Sequence, residues 1–362
     1  MTAFVPLAAC APSPYPATDA ASDRADALMA PYSRPDGPGA SLLVVRNGRV
    51  VYAKGYGLAD VASRTPVTPE TNFRLASLSK QFTATAIMLL VADGKLRYDD
   101  SLTTLVPGLP HWADGVTVRH LLNHTSGLPD YEEFVPDSQT AQVHDADVPA
   151  LVARASGPKF APGTRYDYSN SGYVMLALVV EHASGTRFAD FLRDRIFAPL
   201  GMGATVAHEE GRSSVANRAW GYTIDPAGVR LTDQSNTSAT LGDGGIYSSA
   251  HDLAKWDEAL ERHALVSADA QRLAWTPPVL PAGAPTEYGF GWFVDRDRGA
   301  LRLSHHGESR GFTNAIIRYP ERRLTVVILT NRTGGAPWDV AQRVAELYMD
   351  PPLAGAPTFR KF

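Results

Sequence analysis

Apolar and polar positions along the 362-residue chain fall into three regimes. Residues 41 to 57, SLLVVRNGRVVYAKGYG, are two β-rich runs around Asn47-Gly48. That dipeptide supplies the positive φ angles a two-residue hairpin turn needs, so a hairpin is expected. From 77 to about 93 the period becomes helical, with Phe82, Ala86, Leu89 and Leu90 near one face and Gly94 as the stop. Ser77 is expected in the first turn of that helix. Pieces such as TVRHLLNH, DVPALVARA, SGYVMLALVVEHASG and FADFLRDRIFAPLG follow, separated by Pro/Gly loops, and predict a mostly helical stretch to about residue 240. SAHDLAKWDEALERH predicts one more helix, with Ser249 and Asp252 as a start resembling a capping box.

Strand patterning then returns. EYGFGWFVD, LRLSHH, FTNAIIRY and RLTVVILTN, joined by short polar links, predict an antiparallel meander, and PWDVAQRVAELYM predicts a closing helix. Strands at both chain ends around a helical middle imply an α/β (α+β) fold. Its antiparallel sheet is built from both ends and flanked by helices, with an inserted mostly helical lobe. The expected division is a signal-like or tether segment at 1–35, a sheet lobe from 36–75 and 245–350, a helical lobe at 76–244 and a tail at 351–362. A cleft between lobes is a natural small-molecule site.

Composition narrows the function. A hydrophobic content of 44% supports a sizeable core, and a net charge of −4 without Lys/Arg-rich runs argues against a nucleic-acid partner. Cys10 is the only cysteine, so neither an intrachain disulfide nor a thiolate zinc site can form. Leu7-Ala8-Ala9-Cys10 resembles a lipobox and, with the Ala/Pro/Asp-rich stretch after it, is the pattern expected of an exported protein with a lipid anchor at Cys10. The segment before Cys10 has no basic residue and contains Pro6, so a truncated start and a chance match both stay open. No run reaches the roughly 18 apolar residues of a spanning helix.

Three stretches carry chemistry. Serine needs a neighbouring base to act as a nucleophile, and Ser77-x-x-Lys80 places an amine one turn along the same helix face. The helix start adds N–H groups for a developing oxyanion. Tyr168-Ser169-Asn170 lies at a loop entering a helix, where a phenol and an amide can both point into a cleft. His305-His306-Gly307 ends a strand, where a glycine lets substrate lie along the strand edge and the N–H of Glu308 completes an oxyanion hole. Taken singly these residues are ordinary capping, core or strand-end positions.

Together and in this order, they resemble the signature set of the β-lactamase and penicillin-recognising serine hydrolases. LLNHTSGLPDY, FAPLGM and GDGGIYSSAHDLAKW are similar to segments of the branch holding class C β-lactamases, family VIII esterases and D-aminopeptidases. The resemblance spans about residues 36 to 350. It implies Ser77 as acylated nucleophile, Lys80 as its proton partner, and Tyr168 as general base and leaving-group acid. It places Asn170 on the acyl side chain and Lys80, and the N–H groups of Ser77 and Glu308 on the oxyanion. A tyrosine base near neutrality requires a cation that favours phenolate, and Lys80 is the expected one. His305 and His306 stand where β-lactamases carry the lysine and hydroxyl residue that hold a substrate carboxylate, which puts carboxylate recognition in doubt; Arg310 is a substitute of unknown direction. The implied enzyme needs no cofactor or metal. Its implied substrates are small esters, narrowly favoured, or D-amino-acid amides and peptides, with D-alanyl carboxypeptidase, β-lactamase and a non-turnover penicillin sensor as alternatives.

Rival motifs are weaker. Ser156-Gly-Pro-Lys159 repeats the Ser-x-x-Lys spacing across helix breakers. Gly307-Glu-Ser309-Arg-Gly311 spells a nucleophile elbow, but a β-run follows it and no histidine lies beyond His306. His120 and His124 have zinc-helix spacing without the glutamate or a third ligand, so a loop-capping role for His124 is expected.

Overall fold

The computed structural model describes residues 19–136, 138–281 and 283–357. Cys10 and its lipobox-like setting lie outside the described residues. The main sheet has six antiparallel strands: β1 (Ala40–Arg46), β2 (Arg49–Tyr56), β3 (Phe293–Asp297), β4 (Ala300–Ser309), β5 (Phe312–Tyr319) and β6 (Leu324–Thr330). Their spatial order is β3-β4-β5-β6-β1-β2, so the meander from the C-terminal half meets the N-terminal hairpin through the β6–β1 pairing, Val44 opposite Val326. The hairpin turns at Asn47 (φ 53°) and Gly48 (φ 72°), as the sequence requires.

Alternation along the strands splits the core. Leu42, Val44, Ile317 and Val326 point to one face, covered by α1 (Asp19–Met29) and α5 (Pro337–Tyr348) through Ala25, Met29, Trp338 and Val344. Leu43, Val45, Ile316 and Val327 point to the other, which packs on α4 (Ala250–Glu261) and the helical lobe. At the centre of that lobe α2 (Lys80–Ala92) packs against α3 (Asn170–Ser184). Every residue of α2 from Lys80 to Leu90 is buried, so the stripe legible in the sequence is part of a fully enclosed helix.

Three expectations change. Residues 19–35 are no tether: Ala25, Met29 and Tyr32 are fully buried, and the Asp26 carboxylate accepts hydrogen bonds from Tyr52 (2.6 Å), Tyr56 (2.7 Å) and Lys54 (2.8 Å). The middle region also holds strands the helical reading overlooked. Val206–Ala207 joins Phe73–Arg74 and Ile246–Ser248 in a small sheet, and Tyr222–Asp225 with Gly228–Leu231 form a hairpin. Finally, Ser77 sits in a 3-10 turn, Ala76–Ser79, that leads into α2. Among the described residues, no helix is long and apolar enough to cross a membrane.

Candidate active site

The turn carrying Ser77 is fixed from three sides. Phe73–Arg74 is held as a strand by pairing with Tyr247 and Ser248. The Asn314 amide on β5 donates to the carbonyls of Arg74 (2.9 Å) and Leu75 (3.2 Å), while its own oxygen accepts the Thr330 N–H (3.0 Å). Gly307 on β4 lies so close that a Cβ there would stand 2.2 Å from the Leu75 carbonyl oxygen. The glycine therefore serves the approach of strand to turn, not room for substrate as the sequence suggested. Between these supports Ala76 takes φ 51°, a left-handed conformation costly for a residue with a Cβ, immediately before the nucleophile.

The edge facing this turn is open. β3 pairs with β4 only as far as Ser304, and among the described residues no strand pairs with 305–309 on that side. Ser309 and Phe312 close a two-residue hairpin, so residues 309, 307 and 305 turn their backbone bonds toward β5. The intervening N–H of Glu308 consequently points to the free edge, the placement required of an oxyanion donor.

Lys80 is wholly buried and its Nζ donates to Ser77 Oγ (2.9 Å), Asn170 Oδ1 (2.9 Å) and the Asp243 carbonyl (3.0 Å). Desolvation lowers its pKa to about 8, although the carboxylates of Asp243, Asp130 and Glu132 pull the other way. Tyr168 hydrogen bonds with Ser77, and Lys80 Nζ lies 4.9 Å from the centre of its ring. Burial raises the Tyr168 pKa far above the ordinary phenol value, so the resting group is neutral rather than the phenolate that a Lys80 cation was expected to favour.

Ser77, Asn170, Glu308, Ser309 and Arg310 open onto one cavity of about 300 Å³, shared with Arg74, Tyr131, Glu132, Ser235, Thr237, Ser238 and Asp243. His305 does not line it. Its ring is fully buried, with Nε2 2.9 Å from the Tyr288 hydroxyl and Nδ1 2.6 Å from the His306 carbonyl, so both nitrogens are spent inside the protein. Burial also holds it well below the usual imidazole pKa. His305 thus packs behind the cavity onto which Ser77 opens.

Sequence reasoning missed the acidic wall. Glu132, in the turn Tyr131–Phe134, hydrogen bonds with Thr237 and is raised to about 7 by desolvation and by the charges of Asp130 and Asp243. The Asp243 carboxyl is raised by burial and accepts from Tyr131 (3.3 Å). The signal was present as the acidic run after LLNHTSGLP and as the aspartate in GDGG, but neither announces which way it faces.

The rival motifs resolve differently. Ser309 ends a strand with a hairpin behind it, not an elbow with a helix. Lys159 pairs with Glu133 (2.8 Å) and Asp167 (3.7 Å). His120 and His124 each accept a backbone N–H through Nδ1, from Thr117 (3.2 Å) and Ser169 (3.1 Å) respectively.

The family model described as beta-lactamase matches residues 23–348. Among curated relatives, Penicillin-binding protein 4* of Bacillus subtilis (strain 168) is 34% identical over 339 residues, covering 84% of this chain and 74% of that protein. The D-aminopeptidase of Brucella ovis is 31% identical over 313 residues; the match covers 83% of this chain but only 57% of the relative's length. Among solved structures, D-amino acid amidase from Ochrobactrum anthropi SV3 complexed with D-phenylalanine superposes with a TM-score of 0.75 at 26% identity, covering 91% of this chain and 99% of that one. With the antiparallel sheet, the flanking helices and Ser77 beside Lys80 already in place, these likenesses identify the chain as a member of the beta-lactamase family of serine hydrolases.

Proposed function

We propose that the chain hydrolyses amides and short peptides whose acyl part is a D-amino acid with a free ammonium group, through an acyl-enzyme on Ser77. The observation that carries the reading is the contact of buried Lys80 Nζ with Ser77 Oγ at 2.9 Å, behind a pocket that Ser77 lines together with Glu132 and Asp243. The Glu132 and Asp243 side of this pocket favours a cationic acyl group, while Arg74 and Arg310 line the same cavity. D-configuration follows the relatives named D-aminopeptidase and D-amino acid amidase. Esters, which the sequence narrowly favoured, share the chemistry, but nothing in the pocket selects them over an aminoacyl amide.

In acylation, neutral Lys80 accepts the Ser77 proton as Oγ bonds to the carbonyl carbon, and the N–H groups of Ser77 and Glu308 hold the oxyanion. Collapse breaks the C–N bond, and the neutral Tyr168 phenol donates its proton to the departing amine. The Lys80 ammonium restores the Tyr168 proton. Water then attacks the ester, with its proton passing to Lys80, and Ser77 regains a proton as the amino acid leaves. The base is thus Lys80 rather than Tyr168, because burial pushes the amine down toward neutrality and the phenol away from it.

The test is a panel: D- and L-alanine p-nitroanilide, D-alaninamide, p-nitrophenyl acetate, D-alanyl-D-alanine peptides acylated at the amino end, and nitrocefin. The proposal expects steady turnover with the highest kcat/KM on the free-amine D-substrates. Preference for the N-acylated peptides or nitrocefin overturns the substrate assignment, and one stoichiometric burst without turnover overturns hydrolysis.

A further inference from the structure

Tyr168 lies in a loop, immediately before the N-cap of α3. His124, from the segment LLNHTSG, brackets it. The His124 carbonyl accepts the N–H of Asp167 (2.9 Å) and the His124 Nδ1 accepts the N–H of Ser169 (3.1 Å), so one residue grips the chain on both sides of the tyrosine. Its ring lies 4.2 Å from the Tyr168 ring at 34°, forming one wall of a cage completed by Tyr288 and Phe293. To reach both grips His124 adopts φ 56°, a left-handed conformation that costs a non-glycine residue free energy.

His124 is also costly in polarity. It is 1% exposed, and because Nδ1 accepts a hydrogen bond, the proton of the neutral ring resides on Nε2. That N–H is buried without a hydrogen-bond partner among the described residues, and the His124 and Tyr288 rings meet in an edge arrangement with their centres 4.4 Å apart. A leucine or phenylalanine would fill the space without a stranded donor but could not hold Ser169. Strain and an unmet donor at one residue mark a site where position is retained at the expense of stability.

We infer that His124 is a positioning residue for Tyr168: it aims the phenol at the leaving group by holding the backbone on both sides and stacking on the ring. It does not line the cavity onto which Ser77 opens. The inference rests on the proposed role of Tyr168 as leaving-group acid, and that role predicts what His124 controls. A poor leaving group such as the amine of D-alaninamide needs the proton; the p-nitrophenolate of an activated ester departs without it. Loss of the aim should therefore depress amide turnover far more than ester turnover, whereas a general loosening would depress both alike.

The experiment measures kcat and KM of the full chain on D-alaninamide and p-nitrophenyl acetate for wild type, His124→Asn, His124→Phe and Tyr168→Phe. Asparagine tolerates the left-handed conformation and lacks the ring; phenylalanine keeps a ring and lacks the acceptor. The expected result is a fall in amide-to-ester kcat ratio of at least tenfold in both His124 variants, with amide KM changed less than threefold. An unchanged ratio in a folded His124 variant overturns the inference, and either variant suffices if the other fails to fold. Tyr168→Phe separates the two layers: if it leaves the ratio unchanged, the leaving-group role itself falls, and the His124 inference falls with it.

Discussion

Replacing Asn170 with aspartate tests the assignment of Lys80 as base by placing a charge where a neutral acceptor now stands. The amide oxygen is 2.9 Å from Lys80 Nζ, and Asn170 is the first residue of α3, where a helix N-terminus favours a carboxylate. At about 4 Å and an effective dielectric constant of about 20, opposite unit charges attract by about 4 kcal/mol. At about 1.4 kcal/mol per pKa unit, that is up to about 3 units. Asp130, whose carboxylate accepts the Asn170 N–H at 3.2 Å, opposes a second negative charge nearby, so a rise of about 2 to 3 units is expected. Lys80 then moves from about 8 to about 10 or 11. At pH 8 the neutral fraction drops from about half to between about 1 in 100 and 1 in 1,000, and activity falls in proportion. The assay is kcat at saturating D-alanine p-nitroanilide between pH 5.5 and 10.5, so that the KM effects of Glu132 and of the substrate amine do not enter. Wild type should rise about tenfold per pH unit up to about 8 and then level; the variant should still be rising at 10. A variant whose acid limb stays near 8 while its plateau collapses would refute the reasoning, because the base would then be a group Asn170 does not touch.

Ser77→Ala should remove measurable turnover, while Ser309→Ala keeps at least about a tenth of it, as expected if Ser309 is pocket wall and not nucleophile. Gly307→Ala should lower kcat at least 100-fold and unfold more easily by about 1–3 kcal/mol, since its methyl would stand 2.2 Å from the Leu75 carbonyl oxygen and displace either the strand or the Ser77 turn; a Tm and kcat near wild type would contradict the close approach. Glu132→Gln should raise KM for D-alanine p-nitroanilide about tenfold and leave that for p-nitrophenyl acetate within threefold. With Glu132 raised to about 7, its charge is present above that pH and lost below it, so the wild-type KM for the amine substrate should climb as pH falls through 7; a KM flat across that range would count against Glu132 as the ammonium partner.

The sheet and the central helix were readable because their signals are local. Asn47-Gly48 dictates its turn, and the four C-terminal runs alternate with short links between them. The hairpin Tyr222–Asp225 and Gly228–Leu231 was not, because Ile224 and Val229 supply too little apolar pattern to outweigh the helices around them. Burial of α1 escaped notice for a related reason: its Ala- and Asp-rich composition suits a linker, and only the packing of Met29 and the bonds of Asp26 to the hairpin tyrosines reveal otherwise. At the site, the three motifs taken together, through the family they resemble, named Ser77, Lys80, Tyr168 and Asn170, which the fold brings together. Direction was invisible. His305 points inward to Tyr288, Gly307 serves the Leu75 backbone, and Asp243 and Glu132 converge on Lys80 from segments more than 100 positions apart.

The central claim is that Ser77 becomes esterified by the acyl group during turnover. Rapid acid quenching of the enzyme on D-alanine p-nitroanilide, followed by tryptic digestion and fragmentation of the peptide running from Leu75 to Lys80, reads this directly. The account predicts a transient D-alanyl adduct on Ser77, absent from Ser79 in the same peptide and absent in Ser77→Ala. An adduct on Ser79, on Ser309 or on any other residue, or steady turnover with no covalent species at pre-steady-state times, would contradict it.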